Sequence, residues 1–449
     1  MSTYESQVAS TAAEVALADR PPVRRSAVTG WVLYDLANTI FSMGVVSLSF
    51  PLFLRNVVGA DRADFQLGLI TALSMSVIFV LAPLLGALTD RARRRMPFLV
   101  TSTLICVAFT MLLGTGSVML AIVSFMIANI AFQAGLQFYD ALLPDVSTEE
   151  NRGRIGGIGV GVGYLGSFIA VGLALMISVD TRPALLFALI GAMFLIFALP
   201  CFIFVRERGN PNPRPIDLNA VRESTRETID TLRSTRRYPG LLRFLIGRVF
   251  YTDAINTVIL AMVLFTTNVA VANGMADADA KQRAQVIMLV AITFAIFGGF
   301  AWGVLADRWG PKRTLNWVLR SWMGVFLLAA FTGIFALPVP VLYVVACWAG
   351  LSLGGIWAAD RPYMLRLAPP ARIGEFYGLY GMVGRFSAII GPALWAGITG
   401  LAIRQFGLKP HVGQGIGIVA LFILVGISYV ILSKVSDEPR QWSAEDRLR

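Results

Sequence analysis

The feature that most constrains this chain is a succession of apolar runs, each about long enough to cross a lipid bilayer. They fall at about 30–54, 66–88, 97–115, 118–142, 154–179, 183–205, 243–270, 286–306, 314–335, 338–360, 375–402 and 412–433. A spanning helix takes about 20 apolar residues because the hydrocarbon core is about 30 Å thick. No water reaches that core to satisfy backbone N–H and C=O groups, so each run is expected to be helical. Composition points the same way. Of 449 residues, 56% are hydrophobic and 14% are charged, whereas soluble domains carry about 25% charge. A soluble enzyme and a disordered chain are both excluded. The fold class expected is an all-α membrane protein with twelve transmembrane helices.

The runs divide six and six around a polar stretch. The organisation expected is an N-terminal tail at 1–29, a six-helix bundle at 30–205, a linker at 206–242, a second bundle at 243–433 and a C-terminal tail at 434–449. In the linker, Leu218, Val221, Thr225, Ile229 and Leu232 recur at three- and four-residue steps among charged residues. That spacing predicts an amphipathic helix on the membrane surface, tethering the halves. With the N-terminus inside, inner segments hold 27 of the 38 Lys and Arg residues, outer loops hold 7 and spans hold 4. The bias puts both termini in the cytoplasm. It also accounts for most of the net charge of +11, so no nucleic-acid partner is expected. Residues 1–29 are polar, with no short apolar core before a small-residue cleavage site, so no removable signal peptide is expected. The location expected is the inner membrane of a bacterium, with the lipid bilayer as partner and a monomer as the unit. Cys106, Cys201 and Cys347 sit in apolar runs and predict no disulfide. His411 reads as a loop residue.

An internal repeat supports the division. Asp35-Leu36-Ala37-Asn38-Thr39 in the first span and Asp253-Ala254-Ile255-Asn256-Thr257 in the seventh share the pattern D-x-x-N-T, 218 positions apart. Gly86-x-x-x-Asp90-Arg91 returns as Gly303-x-x-x-Asp307-Arg308 at an offset of 217, and Gly153, Gly157 and Gly163 return as Gly374, Gly378 and Gly384 at 221. Near-constant offsets imply two pseudo-symmetric bundles related by an axis along the membrane normal. In the repeated loop, glycine allows close helix approach. The aspartate can accept hydrogen bonds from a neighbouring helix N-terminus or pair with arginine. Gly86, Asp90, Arg91, Gly303, Asp307 and Arg308 are therefore the candidate gating residues.

Ionisable groups inside spans are costly and face protein or water. Asp35 and Asp253, with Asn38 and Asn256 on the same helical faces, are candidates for solute or proton binding. Asn129, Gln133, Gln137 and Asp140 form a polar stripe on the fourth span. Asp360, Arg361 and Arg385 complete the candidate set, and each arginine requires an acidic partner or an anionic ligand because it stays charged. The glycine run Gly153 to Gly166 has no preceding strand and no following Lys-Ser/Thr, so it reads as helix packing rather than a phosphate loop. The sequence holds no H-E-x-x-H, no C-x-x-C and no histidine for a triad, so no enzyme, cofactor or metal site is expected.

The duplicated loop and paired halves resemble the major facilitator superfamily across about residues 30–433. The first loop departs from its pattern, with Arg94 where a glycine is common. Several segments are similar to one branch, the fungal autophagy-linked vacuolar amino-acid effluxers and their bacterial relatives. They are Trp31-x-x-Tyr34-Asp35-x-x-Asn38, Tyr139-x-x-Leu142-Leu143-Pro144, the Gly157–Gly166 run, and Phe376-Tyr377-Gly378-Leu379-Tyr380 followed by Gly391-Pro392. Asp360-Arg361-Pro362 departs from that branch's arginine motif on the tenth span. The melibiose-type cation symporters are a second likeness, but their span-two acids have no counterpart here before Asp90. The resemblance implies a secondary transporter working by alternating access, with efflux as its direction. A small amphiphilic solute is expected, an amino acid being the leading candidate, with protons as coupling ion. A non-transporting assembly or sensor protein on the same scaffold is the alternative.

Overall fold

In the computed structural model, residues 23–207, 209–210, 213–215, 223, 238 and 240–436 are described. Twelve long helices follow one another. α1 starts at Arg25–Phe41, passes through a π-helical stretch at Ser42–Ser49 and finishes at Phe50–Val58. After it come α2 (Ala60–Arg91), α3 (Met96–Met111), α4 (Val118–Ala141), α5 (Arg152–Met176) and α6 (Pro183–Phe204). The second half holds α7 (Leu241–Ala272), α8 (Asp277–Trp309), α9 (Pro311–Phe335), α10 (Val339–Leu367), α11 (Ile373–Arg404) and α12 (Pro410–Ser433). Prolines stand in the first turn of α6, α9 and α12, where their missing N–H costs nothing. α10 runs past the expected end of its apolar run, from 360 to Leu367. His411, expected in a loop, is instead buried in the first turn of α12, its Nδ1 lying 2.8 Å from the Gly333 carbonyl. The linker helix expected near 216–233 lies outside the described residues apart from Glu223, as do 1–22 and 437–449.

Among the described residues, ten helices are long and apolar enough to cross a membrane. α3 has 16 residues, about 24 Å at 1.5 Å per residue, which is short of the hydrocarbon thickness. Side chains such as Val80 and Leu260, 71% and 70% exposed, point outward where lipid tails would cover them.

Within the first half α1 packs on α5 and α6, and α3 on α4; within the second α7 packs on α11 and α12, α8 on α10, and α9 on α12. Two seams join the halves, α5 against α8 and α2 against α11. Glycine makes both. A Cβ at Gly157 would lie 2.7 Å from Gly303 Cα, and one at Gly378 would lie 2.8 Å from Pro83 Cα. Gly153, Gly157 and Gly161 put one edge of α5 against α8, while Gly159, Gly163 and Gly166 put another against Trp31, Asp35 and Leu36 of α1. The glycine run thus serves two neighbours at once, each at helical spacing.

Replacing Gly157 by Val drives two methyl groups into the α5–α8 backbone crossing. The expected cost is about 1–3 kcal/mol by overpacking, visible as a lowered unfolding temperature. A variant as stable as the parent would mean that the seam is looser than its geometry.

Candidate functional site

A cavity of about 640 Å³ lies between the halves, within the range of about 300–1,000 Å³ usual for small-molecule sites. α1 lines it from Asp35 to Ser47, and α8 contributes Ile287, Met288, Ala291 and Ile292 near its start. The cavity therefore occupies the middle of the helices and their ends remote from the two Gly-x-x-x-Asp-Arg loops. On the loop side it ends in a floor of charges and aromatic rings.

Arg361 of α10 forms that floor. Its Nη1 lies 3.4 Å from Asp35 Oδ2 on α1, and its Nε lies 3.1 Å from Asp140 Oδ1 on α4. The Nε–H is not aimed at the Asp140 oxygen, so this second contact is charge pairing without hydrogen-bond alignment. One cation of the second half thus holds two carboxylates of the first, all three buried. Beneath them stands an aromatic stack. Tyr139 lies between Trp31, at 4.6 Å between centroids, and Tyr34, at 5.0 Å. Arg361 sits 5.7 Å above the Tyr139 ring, and Trp31 Nε1–H donates to the Tyr139 carbonyl. A second pair lies inside the other half. Arg248 Nε is 3.3 Å from Asp360 Oδ2, and its guanidinium stacks 3.5 Å from the Tyr380 ring. The Tyr380 hydroxyl donates to the same Asp360 oxygen.

The sequence candidates separate at this point. Asp35, Asn38, Gln133, Gln137, Asp140, Asn256, Arg361 and Arg385 line the cavity. Asp360 lies behind the wall as the partner of Arg248. Asn129 is buried off the cavity, neither amide atom having a hydrogen-bond partner among the described residues. Steps of four drift by about 40° on a helix of 3.6 residues per turn, which carries Asn129 away from the face of Gln137. Asp253 also lies off the cavity, its carboxylate against Gly391 of α11. The repeat pairs it with Asp35 in sequence, but the two face different surroundings. Helical spacing puts Ser42 on the face of Asp35 and Asn38, and it lines the wall with them; sequence reasoning passed over the π-helical stretch that also brings Met43 and Ser47 there. It also passed over Phe132 and Tyr164, whose types are ordinary for apolar spans.

Below the floor the repeated loops tie the halves together reciprocally. Asp90, at the end of α2, accepts from the N–H groups of Gly374 and Glu375 in the first turn of α11, at 2.9 and 2.8 Å. Asp307, at the end of α8, accepts from those of Gly153 and Arg154 in the first turn of α5, at 2.6 and 2.9 Å. Each aspartate thus supplies the acceptor that the other half's helix N-terminus needs. A Cβ at Gly86 would strike the Gly374 carbonyl, and one at Gly303 would lie 2.8 Å from the Gly153 oxygen. The flanking arginines differ. Arg91 is buried and pairs with Glu223 at 2.9 Å, whereas Arg308 is exposed.

The second loop turns at Gly310 with φ +85°, a conformation suited to glycine. The first loop, with arginines at 93–95, turns without a positive φ. It is held from outside by the start of the linker. Glu207 accepts from the N–H groups of Arg95 and Met96 at 2.6 and 2.9 Å, while the N–H groups of Asn210 and Arg214 donate to the carbonyls of Arg93 and Arg91. Arg95 in turn reaches Asp90 at 2.8 Å.

The family described as "Vacuole effluxer Atg22 like" matches residues 67–440. An uncharacterized MFS-type transporter of Bacillus subtilis, YxiO, is 27% identical over 427 residues, covering 91% of this chain and 94% of its own. Autophagy-related protein 22-2 of Aspergillus clavatus is 26% identical over 279 residues, covering 57% of this chain and 44% of the fungal protein. Among solved structures, the human organic anion transporter MFSD10 superposes with a TM-score of 0.69 at 17% identity, covering 92% of this chain and all of its own. The proton:xylose symporter XylE superposes at 0.66 and 13%, covering 91% and 94%. At those identities the two structures establish the fold alone.

Removing the Asp90 carboxylate in Asp90→Ala leaves two backbone N–H groups of α11 without their acceptor. The expected loss is about 0.5–2 kcal/mol, typical of an N-cap, and Asp307→Ala should lose a similar amount at α5. Thermal unfolding of both variants measures it; a loss at one loop only would mean that the two caps are not energetically equivalent.

Proposed function

The chain belongs to the Atg22-like vacuole effluxer family, and from that premise we propose that it is a secondary active transporter moving a small amphiphilic solute by alternating access, coupled to protons. It is a multi-pass membrane protein with a transporter's fold, and it is not an enzyme. The observation that carries the finer reading is the floor itself. A buried charge cluster shared between the two halves closes one end of a solute-sized cavity.

Protons fit the cluster because two carboxylates share one guanidinium. Adding a proton to Asp35 or Asp140 still leaves Arg361 with a partner. Two protons would leave it buried and unpaired, which is costly. One proton is therefore the natural unit of charge exchange, and its arrival weakens the tie between the halves. The caps at Asp90 and Asp307 act as the gate on the same side. Opening there requires the α11 and α5 N-termini to leave their aspartates, while Asp253, away from the cavity, acts as a strut within the second half. The excess of basic residues supports the cytoplasm as the closed side, and in this reading the described conformation faces outward. An amino acid suits the cavity's charged floor and apolar walls, and the family description supports efflux as the direction. The bacterial relatives support the inner membrane as the location.

Purified protein in liposomes, assayed with a panel of radiolabelled apolar amino acids, tests this. The expected result is saturable flux that responds to an imposed pH gradient in the parent, and flux that ignores the gradient in Asp35→Asn and Asp140→Asn. Gradient-driven accumulation undiminished in both variants would contradict the coupling.

A further inference from the structure

Five buried ionisable groups around the cavity are in contact as ion pairs, with one carboxylate in excess. Arg361 is paired with Asp35 and Asp140, and Arg248 with Asp360. A sixth group has no such pairing. Arg385 of α11 is 5% exposed and lines the cavity. Its Nη2 donates to the main-chain carbonyl of Gln133, across the interface on α4, at 2.7 Å. Its Nε and Nη1 have no hydrogen-bond partner, and no carboxylate pairs with it among the described residues. Of the remaining buried acids among the described residues, Asp253 faces Gly391 outside the cavity, and Glu375 in the first turn of α11 pairs with Arg372.

A guanidinium cannot shed its charge in a protein, and it binds planar oxyanions through directional N–H groups. Two buried N–H groups without an acceptor are unfavourable, so the group is placed to gain by receiving one. The excess carboxylate of the Asp35–Asp140 pair balances this one positive charge, so the site takes up a monoanion together with the proton that neutralises that carboxylate. The Asp35–Asp140 pair close by, which exceeds Arg361 by one negative charge, disfavours a dianion. Among small solutes that monoanion is a carboxylate. The lining remote from the floor includes Met262, Phe265, Ile292 and Trp395, which offers an apolar body a dry surface.

We propose that Arg385 is the solute-recognition residue of the cavity, binding the carboxylate of an amphiphilic organic acid or amino acid whose apolar part lies along the α7, α8 and α11 walls. This rests on the transporter reading and adds to it the group by which the solute is chosen. Because Arg385 also touches α4 of the other half, the carboxylate would be held at the interface that must move.

Two isosteric pairs test it by titration calorimetry on the purified full chain: 3-phenylpropanoate against 3-phenylpropanamide, and phenylalanine against phenylalaninamide. In at least one pair the carboxylate should bind about tenfold or more tightly than the amide, as charge-assisted hydrogen bonds imply. R385Q should bring that ratio close to one. The pair that discriminates identifies the source, a plain organic acid or an amino acid. R385K keeps the cation without the planar fork and should retain a reduced preference, which holds the test open if R385Q fails to fold. Equal affinities in both pairs, or a preference undiminished in R385Q, overturn the proposal. Flux in liposomes separates the two readings. Flux of an uncharged solute that R385Q leaves intact removes the carboxylate and keeps the transporter. Carboxylate binding without any flux keeps the site and removes the transporter.

Discussion

The Arg361 guanidinium, held between Asp35 and Asp140, is the interaction on which the rest of this structure depends. It is buried, it crosses from one half to the other, and it is the floor of the cavity. Desolvating two acids and a base is expensive, and in folding terms such a cluster gains little over apolar packing. Its value lies in being conditional. Its strength changes with a proton or a nearby charge, which no Leu–Leu contact can do. The stack of Trp31, Tyr139 and Tyr34 fixes the height of the floor, and the Tyr377 hydroxyl donates to the Arg361 carbonyl from α11 at 3.3 Å.

Everything on the closed side follows the same logic of contacts that can be made or released as units. The glycine seams let α5 meet α8 and α2 meet α11 backbone to backbone, so the halves approach as rigid surfaces. The caps by Asp90 and Asp307 add a directional bond at each seam. The linker strap at Glu207, Asn210 and Arg214 reinforces only the first loop, the one without a glycine at its turn. Where the second loop relies on Gly310 for its turn, the first carries arginines at 93–95 and is fixed by the connecting chain.

Much of this was legible in the sequence, for identifiable reasons. Hydropathy located twelve helices because lipid imposes their length. The repeat located both capping loops because their chemistry depends on local spacing, glycine four residues before aspartate. The family likeness rested on residues that prove to sit together, Trp31, Tyr34 and Tyr139 in one stack. Arg361 and Arg385 stood out as charges within spans, but their different situations did not. Pairing depends on which helices converge, and α10 reaches the floor because it continues helically to Leu367. Asp253 misled for the opposite reason. Its motif matches that of Asp35, yet its carboxylate meets Gly391 rather than the cavity, because the neighbours of a helix face are set by packing that the motif does not encode. A π-helical stretch leaves no mark in composition, and the face of a residue such as Asn129 is set by packing that no single helix encodes.

In the transporter reading, the shared charge cluster keeps the loop side of the halves together. Spin labels at Glu149 in the first half and Arg308 in the second, both exposed on that side, report the separation by pulsed electron resonance. With Asp35 and Asp140 both replaced by Asn, the account predicts a new population at longer distance than in the parent protein. A distance distribution identical to the parent's would contradict it.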